Sequence, residues 1–240
     1  MHPVLSKIGS YPVYSYGAML ALAFLVCSFL AKRHGSAIGM DAEKILDLMI
    51  TLIVSGVIGG RLMFVLLDFD YFRSRPLDIF KLWEGGLVWY GGLVLAVISG
   101  AVFLRIYKMP MLKTADLLMP YVALGQAIGR IGCFLNGCCY GKATALPIGV
   151  VFNPEQGAVL PTQLFESAAM FIVYLVLRRR VPSNGRTFFL YLIFYSVFRF
   201  SIEFLRGDNM LAVMGLTFSQ AVSMVIFATA VILWKTIPSK

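Results

Sequence analysis

Charged residues are scarce in this chain of 240 residues: only 14% are Asp, Glu, Lys or Arg, whereas 59% are hydrophobic. This balance excludes a soluble globular protein and a disordered chain, because both classes carry far more charge. Shifts in composition, Ser/Gly linkers and evident internal repeats are also lacking. The sequence therefore predicts an all-α integral membrane protein, with one polytopic membrane domain that covers residues 1–240.

Histidine is the second residue type that is nearly missing. The chain has only His2 and His34, and both lie outside the hydrophobic segments, which excludes a buried imidazole base. Of the four cysteines, Cys133, Cys138 and Cys139 are clustered, but the C-x4-C-C spacing contains no C-x2-C pair and no nearby histidine. A metal site is therefore not expected, and neither is another cofactor. A disulfide and packed free thiols are the two interpretations left open.

Seven hydrophobic segments approach the length of about 20 residues that a membrane-spanning helix needs. They cover residues 14–31, 46–67, 87–106, 115–136, 162–177, 187–205 and 216–234. The first segment has no basic region before it, and Lys32 and Arg33 follow it instead of a small-residue cleavage site. It does not resemble a removable signal peptide, so we expect it to remain in the mature protein.

The cations that flank these segments predict the orientation of the chain. If the N-terminus is outside, the inner side holds twelve cations and the outer side holds six. The inner set is Lys32, Arg33, Lys44, Arg105, Lys108, Lys113, Arg178, Arg179, Arg180, Arg186, Lys235 and Lys240, and the outer set is Lys7, Arg73, Arg75, Lys81, Lys142 and Arg206. The positive-inside rule then predicts seven transmembrane helices with the N-terminus out and the C-terminus in. Because these cations flank spans and form no single patch, the net charge of +9 does not indicate a nucleic-acid partner.

Three arginines, Arg61, Arg130 and Arg199, lie inside the hydrophobic segments. Even low estimates put the cost of an arginine at the bilayer centre at about 2.5 to 3.5 kcal/mol, so such residues usually face a protein interior and mark a functional site. The predicted topology places all three in the outer half of the bilayer. They predict a pocket for an anion.

Together with these arginines, other polar and aromatic residues reach the same outer level, so that six of the seven spans contribute to it. They include Tyr14, Tyr16, Trp89, Tyr90, Asn136, Gln163, Glu166, Tyr195 and Glu203. The inner halves are almost wholly apolar, so one shared cavity near the outer leaflet is expected. Two simpler interpretations stay open. The Tyr and Trp side chains could form an interfacial aromatic belt. Arg199 and Glu203, which are i,i+4 neighbours, could form a structural ion pair. Gly125 and Gly129, in turn, have the small-xxx-small spacing of closely packed helices.

Four ordered motifs extend along the chain. They are WEGGLVWYGGL at 83–93, GRIGCFLNGCCYG at 129–141, PTQLFE at 161–166 and YSVFRFSIEFLR at 195–206. In order and spacing they resemble the motifs of bacterial prolipoprotein diacylglyceryl transferases. The resemblance covers essentially the whole chain, including seven spans with the N-terminus outside.

This resemblance implies transfer of the diacylglyceryl group of phosphatidylglycerol to the cysteine thiol of a preprolipoprotein lipobox segment, with release of glycerol phosphate. It also implies a multi-pass protein of the bacterial cytoplasmic (inner) membrane, in contact with membrane lipids. Arg130 and Arg199 match the essential arginines of the family. Further matches, implied to bind substrate, are Tyr16, Asn136, Gly141, Tyr195, Glu203 and Arg206, and Glu84 lies in a conserved loop of the family.

Three departures from the family pattern concern the chemistry more than the fold. Tyr90 stands where the family usually has a histidine, Cys133 and Cys138 replace an asparagine and a glutamate, and Leu160 replaces a histidine. Arg130, Arg199 and Tyr90 are therefore the predicted catalytic residues, with Tyr90 as the candidate acid or base, and Arg61 is grouped with the substrate-binding residues. The alternatives are a divergent paralogue with another acceptor, and a non-catalytic protein that binds lipid or transports a small anion.

Overall fold

Helices dominate the computed structural model, which describes residues 3–8, 11–82, 85–155, 157–182, 184–207, 211–213 and 215–237. Within these ranges the helices are α1 (Ser15–Ala37), α2 (Ala42–Leu67), α3 (Phe69–Ser74), α4 (Trp89–Ile106), α5 (Met111–Asn136), α6 (Thr162–Leu177), α7 (Arg186–Glu203) and α8 (Phe218–Thr236). A short 3-10 helix covers Pro76–Phe80. Each predicted hydrophobic segment coincides with a helix, whereas α3 was not predicted.

The described residues also form three small antiparallel strand pairs that the sequence did not predict, one before α1 and two between later helices. They are β1 (Val4–Ile8) with β2 (Tyr11–Tyr14), β3 (Val150–Val151) with β4 (Ala158–Val159), and β5 (Leu211–Val213) with β6 (Leu216–Thr217). Each pair has only two strands, so none forms a sheet with a core of its own.

Five helices of the described chain are long and apolar enough to cross a membrane, namely α1, α2, α4, α5 and α8. Helix α6 is apolar but has only 16 residues. Helix α7 has 18 residues and carries Arg186, Arg199 and Glu203, three charges that lower its hydropathy. The protein is therefore a helical multi-pass membrane protein.

Side chains of the chain itself fix the starts of two helices. The Asp41 carboxylate accepts hydrogen bonds from the backbone N–H groups of Glu43 and Lys44, at 3.0 and 3.2 Å, and so caps α2. These N–H groups, with that of Lys44 contributing most, lower the pKa of Asp41 below its usual value. At α8, Thr217 and Gln220 form a reciprocal capping box.

The chain divides into two compact units. The first consists of Met1–Leu30 and Leu112–Lys240, and the second of Ala31–Met111. In the second unit α2 and α4 cross in close contact, because a side chain on Gly59 would overlap the carbonyl oxygen of Gly91. Gly60 also accepts a hydrogen bond from the Val88 N–H group at 3.0 Å. Glycine is required at this crossing because only it lets the two backbones approach so closely.

In the first unit α5 is the most buried helix, and its neighbours pack around it. An added Cβ on Gly125 would lie 3.6 Å from the Cys27 sulfur, and one on Gly129 would lie 3.9 Å from Leu20. The two glycines therefore face α1, at ordinary van der Waals distances that leave room for a Cβ atom. On another side of α5 the buried Asp116 carboxylate accepts the N–H groups of Gly185 and Phe188, at 2.9 and 2.8 Å, which joins the start of α7 to α5.

Candidate functional site

Glu166 is the centre of a charged cluster in the first unit. It lies in the second turn of α6 and is only 5% exposed. Its carboxylate pairs with Arg130 of α5, whose Nε lies 2.6 Å from Oε2. The Nη1 atoms of Arg199 and Arg206 lie 3.9 and 3.8 Å from Oε1. Three separate segments thus bring a guanidinium to one buried carboxylate.

A second buried carboxylate, that of Glu203, holds Arg199 from the same helix. Arg199 Nη2 lies 3.0 Å from Glu203 Oε2, which confirms the predicted i,i+4 pair. The Thr217 hydroxyl donates to Glu203 Oε1 at 2.8 Å, and Arg199 Nη2 donates to the Ser219 hydroxyl at 3.2 Å. Residues at and just after the N-cap of α8 therefore orient both members of the pair.

The cluster retains an excess of positive charge, because three arginines face two carboxylates. The Arg130 side chain is 28% exposed and that of Arg199 is 19% exposed, so both are accessible from outside the cluster. Within the described residues, Glu166 Oε1 and Arg199 Nη1 have no hydrogen-bond partner. A ligand with anionic oxygens would complete the bonding of the guanidinium groups.

The loop that follows α5 is held against the start of α6 and the end of α7. The carbonyl oxygen of Cys138 accepts a hydrogen bond from Gln163 Nε2 at 2.7 Å, and that of Cys139 accepts one from the Thr162 hydroxyl at 3.0 Å. Gly141 is buried where a Cβ would lie 2.6 Å from the Leu205 carbonyl oxygen. Gly141, the last residue of the motif at 129–141, therefore allows the loop to pass close to the end of α7.

Cys133, Cys138 and Cys139 converge at this loop. Their three sulfur atoms all lie within 4.8 Å of one another, and those of Cys138 and Cys139 are 3.7 Å apart. All three are free thiols, as is Cys27, so the structure contains the packed-thiol arrangement and no disulfide among these four residues. The hydrogen bond from Cys133, followed by the bond from Cys138 and the charges of Arg130 and Arg206, lowers the pKa of Cys139 to about 5.

A cavity of about 510 Å³ opens at the same loop. Its lining is formed by the loop, one residue of β4 and one that follows α7: Gly137, Cys138, Cys139, Tyr140, Gly141, Lys142, Ala143, Val159 and Gly207. Two of the clustered thiols therefore border a space that has the size of a ligand pocket.

The remaining predicted site residues of the first unit lie close to these groups. Tyr16, near the start of α1, approaches Gly132, because a Cβ there would lie 3.3 Å from the tyrosine ring. It also lies near enough to Arg130 for the guanidinium charge to act on its hydroxyl group. Tyr195 stacks on Tyr191 with ring centroids 5.9 Å apart. The Asn136 side chain, at the end of α5, hydrogen-bonds to Cys138.

Arg61 belongs to the second unit and is only 7% exposed. Its guanidinium donates to five backbone carbonyl groups, those of Asp78, Ile79, Lys81, Gly85 and Gly86. The rings of Phe64 and Phe72 each lie 5.4 Å from its Cζ atom. This arrangement is that of a structural arginine that holds a loop onto α2.

Tyr90 also belongs to the second unit, where it lies in the first turn of α4 and is exposed. Its ring forms an edge contact with Trp89, at 5.3 Å between centroids. Glu84 lies outside the described residues. The structure thus brings together Arg130, Arg199, Glu203 and Arg206 within one unit, with Tyr16, Asn136 and Gly141 near them, and places Arg61 and Tyr90 in the other unit.

Glu166, which the sequence placed at the outer level but not among the catalytic or substrate-binding residues, lies at the centre of this cluster. The sequence did contain a signal for it, because a carboxylate near the start of an apolar helix is costly unless it is paired. What the sequence did not reveal is that its partners are Arg130, Arg199 and Arg206, which are 36, 33 and 40 residues away along the chain.

The helices define a multi-pass membrane protein, and its charged cluster combines three arginines with two carboxylates. A family model described as prolipoprotein diacylglyceryl transferase matches residues 3–236. The chain therefore belongs to the prolipoprotein diacylglyceryl transferase family and is a transferase, which confirms the resemblance seen in its motifs.

Curated relatives match the chain over most of its length. A phosphatidylglycerol--prolipoprotein diacylglyceryl transferase of Clostridium tetani is 38% identical over 232 residues, which is 93% of this chain and 93% of the relative. A second one, from Clostridium perfringens, is 33% identical over 98% of this chain and 94% of its own length. A third, from Geobacter sulfurreducens, is 32% identical over 86% and 83%, respectively.

Proposed function

We propose that this protein transfers the diacylglyceryl group of phosphatidylglycerol to the lipobox cysteine thiol of a preprolipoprotein, the first step of bacterial lipoprotein maturation. Family membership and the names of the relatives support the reaction. The observation that carries it at the level of the site is the cluster of three arginines around Glu166. The excess positive charge of this cluster fits the single negative charge of a phosphodiester headgroup.

Arg130 and Arg199 are proposed to hold the phosphate of the donor lipid. A guanidinium presents paired donors to phosphate oxygens and stays charged, and both side chains are partly exposed. When the carbon–oxygen bond breaks, the leaving glycerol phosphate gains negative charge, which the same two residues would stabilise. Glu166 and Glu203 keep the guanidinium groups in place, and Arg206 adds a third positive charge.

The other matching residues are proposed to shape the binding site. Tyr16 lies near Arg130, and Tyr195 is the i,i+4 neighbour of Arg199 on α7. Asn136 and Gly141 position the loop after α5. Tyr90 remains the proposed acid or base at the position where the family usually has a histidine. Arg61 was grouped with the substrate-binding residues, but its five carbonyl contacts favour a structural role, so we no longer propose that it contacts substrate.

The proposed topology is seven spans in one polytopic domain of the bacterial cytoplasmic (inner) membrane, with the N-terminus out and the C-terminus in. The distribution of flanking cations supports this orientation. Helices α6 and α7 are proposed as the sixteen- and eighteen-residue spans. Helix α6 is about 24 Å long, somewhat shorter than a hydrocarbon core of about 30 Å. Two of the three charges of α7, those of Arg199 and Glu203, belong to the charged cluster.

An anion transporter would need polar groups near the midplane and access from both sides. In the proposed topology Asp116 lies in an inner half, but its carboxylate accepts hydrogen bonds from two backbone N–H groups at the start of α7. This observation favours the transferase over the transporter.

Purified protein, phosphatidylglycerol and a lipobox peptide test the proposal. We expect the peptide to gain the mass of a diacylglyceryl group on its cysteine. Arg130→Ala and Arg199→Ala should each lower the initial rate by about 100-fold or more, whereas Arg73→Ala, which removes an exposed arginine of α3, should leave the rate unchanged. Absence of any mass gain under conditions in which a relative is active would refute the proposed reaction.

A further inference from the structure

The cysteine cluster is the most distinctive part of this molecule that the proposed function leaves without a role. Its three sulfur atoms lie within 4.8 Å of one another. At two of the three positions, those of Cys133 and Cys138, the family usually has an asparagine and a glutamate. Four bonds to zinc of about 2.3 Å in a tetrahedral site would place ligand sulfurs about 3.8 Å apart. The observed separation of 3.7 Å between Cys138 and Cys139 fits this spacing without a large movement.

The backbone around the cysteines is also shaped to bring the sulfurs together. Cys139 has a φ of +63°, a left-handed conformation that is uncommon for a residue with a side chain and that often marks a functional position. The carbonyl groups of Cys138 and Cys139 are fixed by Gln163 and Thr162, both of which are fully buried. This support comes from the start of α6 and holds the loop from outside the cluster.

The surroundings suit a negatively charged metal centre with one free position. Zinc with three thiolates carries a net charge of −1, and Arg130 and Arg206 lie close enough to act on the cluster. Cys138 and Cys139 border the cavity of about 510 Å³, so a fourth ligand can approach from that side. Three protein ligands with an open fourth position are the arrangement of catalytic zinc.

We propose that Cys133, Cys138 and Cys139 bind one zinc ion through their thiolates, and that its fourth position takes the acceptor cysteine thiol. The second part rests on the proposed transferase function. Coordination to zinc deprotonates a thiol, and the proton leaves to water. The two histidines of the chain lie outside the predicted spans, so the metal would supply the thiol activation that no imidazole provides. In this step zinc would take the place of Tyr90 as the group that promotes loss of the thiol proton.

The transfer step then balances without a further reactant. The zinc-bound thiolate sulfur attacks the glyceryl carbon that carries the phosphate oxygen, and a carbon–sulfur bond forms as the carbon–oxygen bond breaks. The electron pair leaves with the phosphate, which departs as glycerol phosphate with two negative charges. Arg130 and Cys133 are i,i+3 neighbours on one face of α5, so the residue that holds the lipid phosphate is adjacent to a ligand of the metal that holds the thiol.

Metal content tests the site independently of catalysis. Full-length protein is purified in detergent with a phosphine reductant, loaded with zinc, dialysed, and analysed by elemental mass spectrometry. We expect one zinc per chain. Cys133→Ser, Cys138→Ser and Cys139→Ser should each weaken zinc binding by about tenfold or more, whereas Cys27→Ser, at a buried cysteine that hydrogen-bonds to the Tyr121 carbonyl, should retain it.

Cobalt binding to the wild-type protein provides a measurement that needs no variant. A thiolate-to-cobalt charge-transfer band, lost on addition of excess zinc, supports the site. Absence of bound zinc and of this band overturns the proposal, as does a disulfide among the three cysteines in the reduced preparation.

Transfer assays with zinc-depleted and zinc-restored protein test the fourth position. Depletion should lower the rate at least about tenfold, and zinc should restore it. Equal rates with and without zinc would overturn the role in thiol activation and leave only a structural metal site. If zinc binds with the expected stoichiometry but neither form transfers lipid, then the proposed transferase function fails while the metal site stands.

Discussion

At the scale of single residues, three arginines that all lie in hydrophobic segments make two different kinds of contact. Arg61 donates to five backbone carbonyl groups and lies between two phenylalanine rings, so its hydrogen-bonding capacity is used within the protein. Arg130 and Arg199 pair with carboxylates and stay partly exposed. Because a carboxylate holds a guanidinium without covering all of its donors, we expect Arg130 and Arg199, and not Arg61, to bind an anion.

Glu166→Gln should weaken both stability and transfer. An amide keeps the shape of the side chain but removes the negative charge that separates three guanidinium groups, so their mutual repulsion is no longer offset. We expect the free energy of unfolding to fall by about 3 kcal/mol and the transfer rate to fall at least about tenfold. Denaturation in mixed detergent micelles and the lipobox assay measure the two effects.

The matched control is Glu155→Gln, which makes the same change at an exposed position of the loop between β3 and β4. It should behave as wild type in both measurements. Wild-type stability together with a wild-type rate in Glu166→Gln would contradict the central role of this carboxylate.

At the scale of elements, the ends of helices supply the site and the caps position it. The end of α5, the start of α6 and the end of α7 carry Arg130, Glu166 and Arg199. The cap of α8 contributes as well, since Thr217 both begins that helix and donates to Glu203. A helix end therefore brings its charged side chain into the cluster, while the apolar remainder of each helix faces other helices or lipid.

The start of α2 gives a pH-dependent prediction. The N–H groups of Lys44 and Glu43 hold the pKa of Asp41 below its ordinary value of 3.8, so its charge favours the folded state. This contribution is fully present above pH 3.8 and is lost as the pH falls through the lower pKa of the folded protein. In Asp41→Asn the amide still caps the helix but does not titrate there.

Unfolding temperatures of wild type and Asp41→Asn, measured from neutral pH downwards, test this assignment. Wild type should be the more stable at neutral pH, and the difference should shrink below pH 3.8. A difference that is constant over the whole range would mean that the charge of Asp41 does not contribute.

At the scale of the whole molecule, the orientation of the chain follows from where its cations lie. We expect the C-terminus inside, so a phosphatase that is active only outside the cytoplasm should be inactive when fused there. The same enzyme inserted after Gly157, in the loop between β3 and β4, should be active. Phosphatase activity from the C-terminal fusion would contradict the proposed topology.

The sequence predicted the helices well and the site in part. Hydrophobic length sufficed for the helices, because a bilayer demands long apolar segments whatever their neighbours are. The pair of Arg199 and Glu203 was also predictable, since i,i+4 spacing on a helix brings two side chains together. The contacts of Arg130, Arg206 and Glu166 were not predictable, because each joins segments that are distant along the chain.

By itself, then, the sequence determined the class of protein, the family and the residues that cannot face lipid without a partner, because composition, motifs and desolvation cost belong to the chain. Only the tertiary structure decided which partner each residue has. In the folded protein Arg61 donates hydrogen bonds to backbone carbonyl groups, and Glu166 lies among three arginines. Three cysteine sulfur atoms lie within 4.8 Å of one another. Those outcomes depend on how helix ends and loops pack against one another, and packing over long separations is a property of the folded molecule.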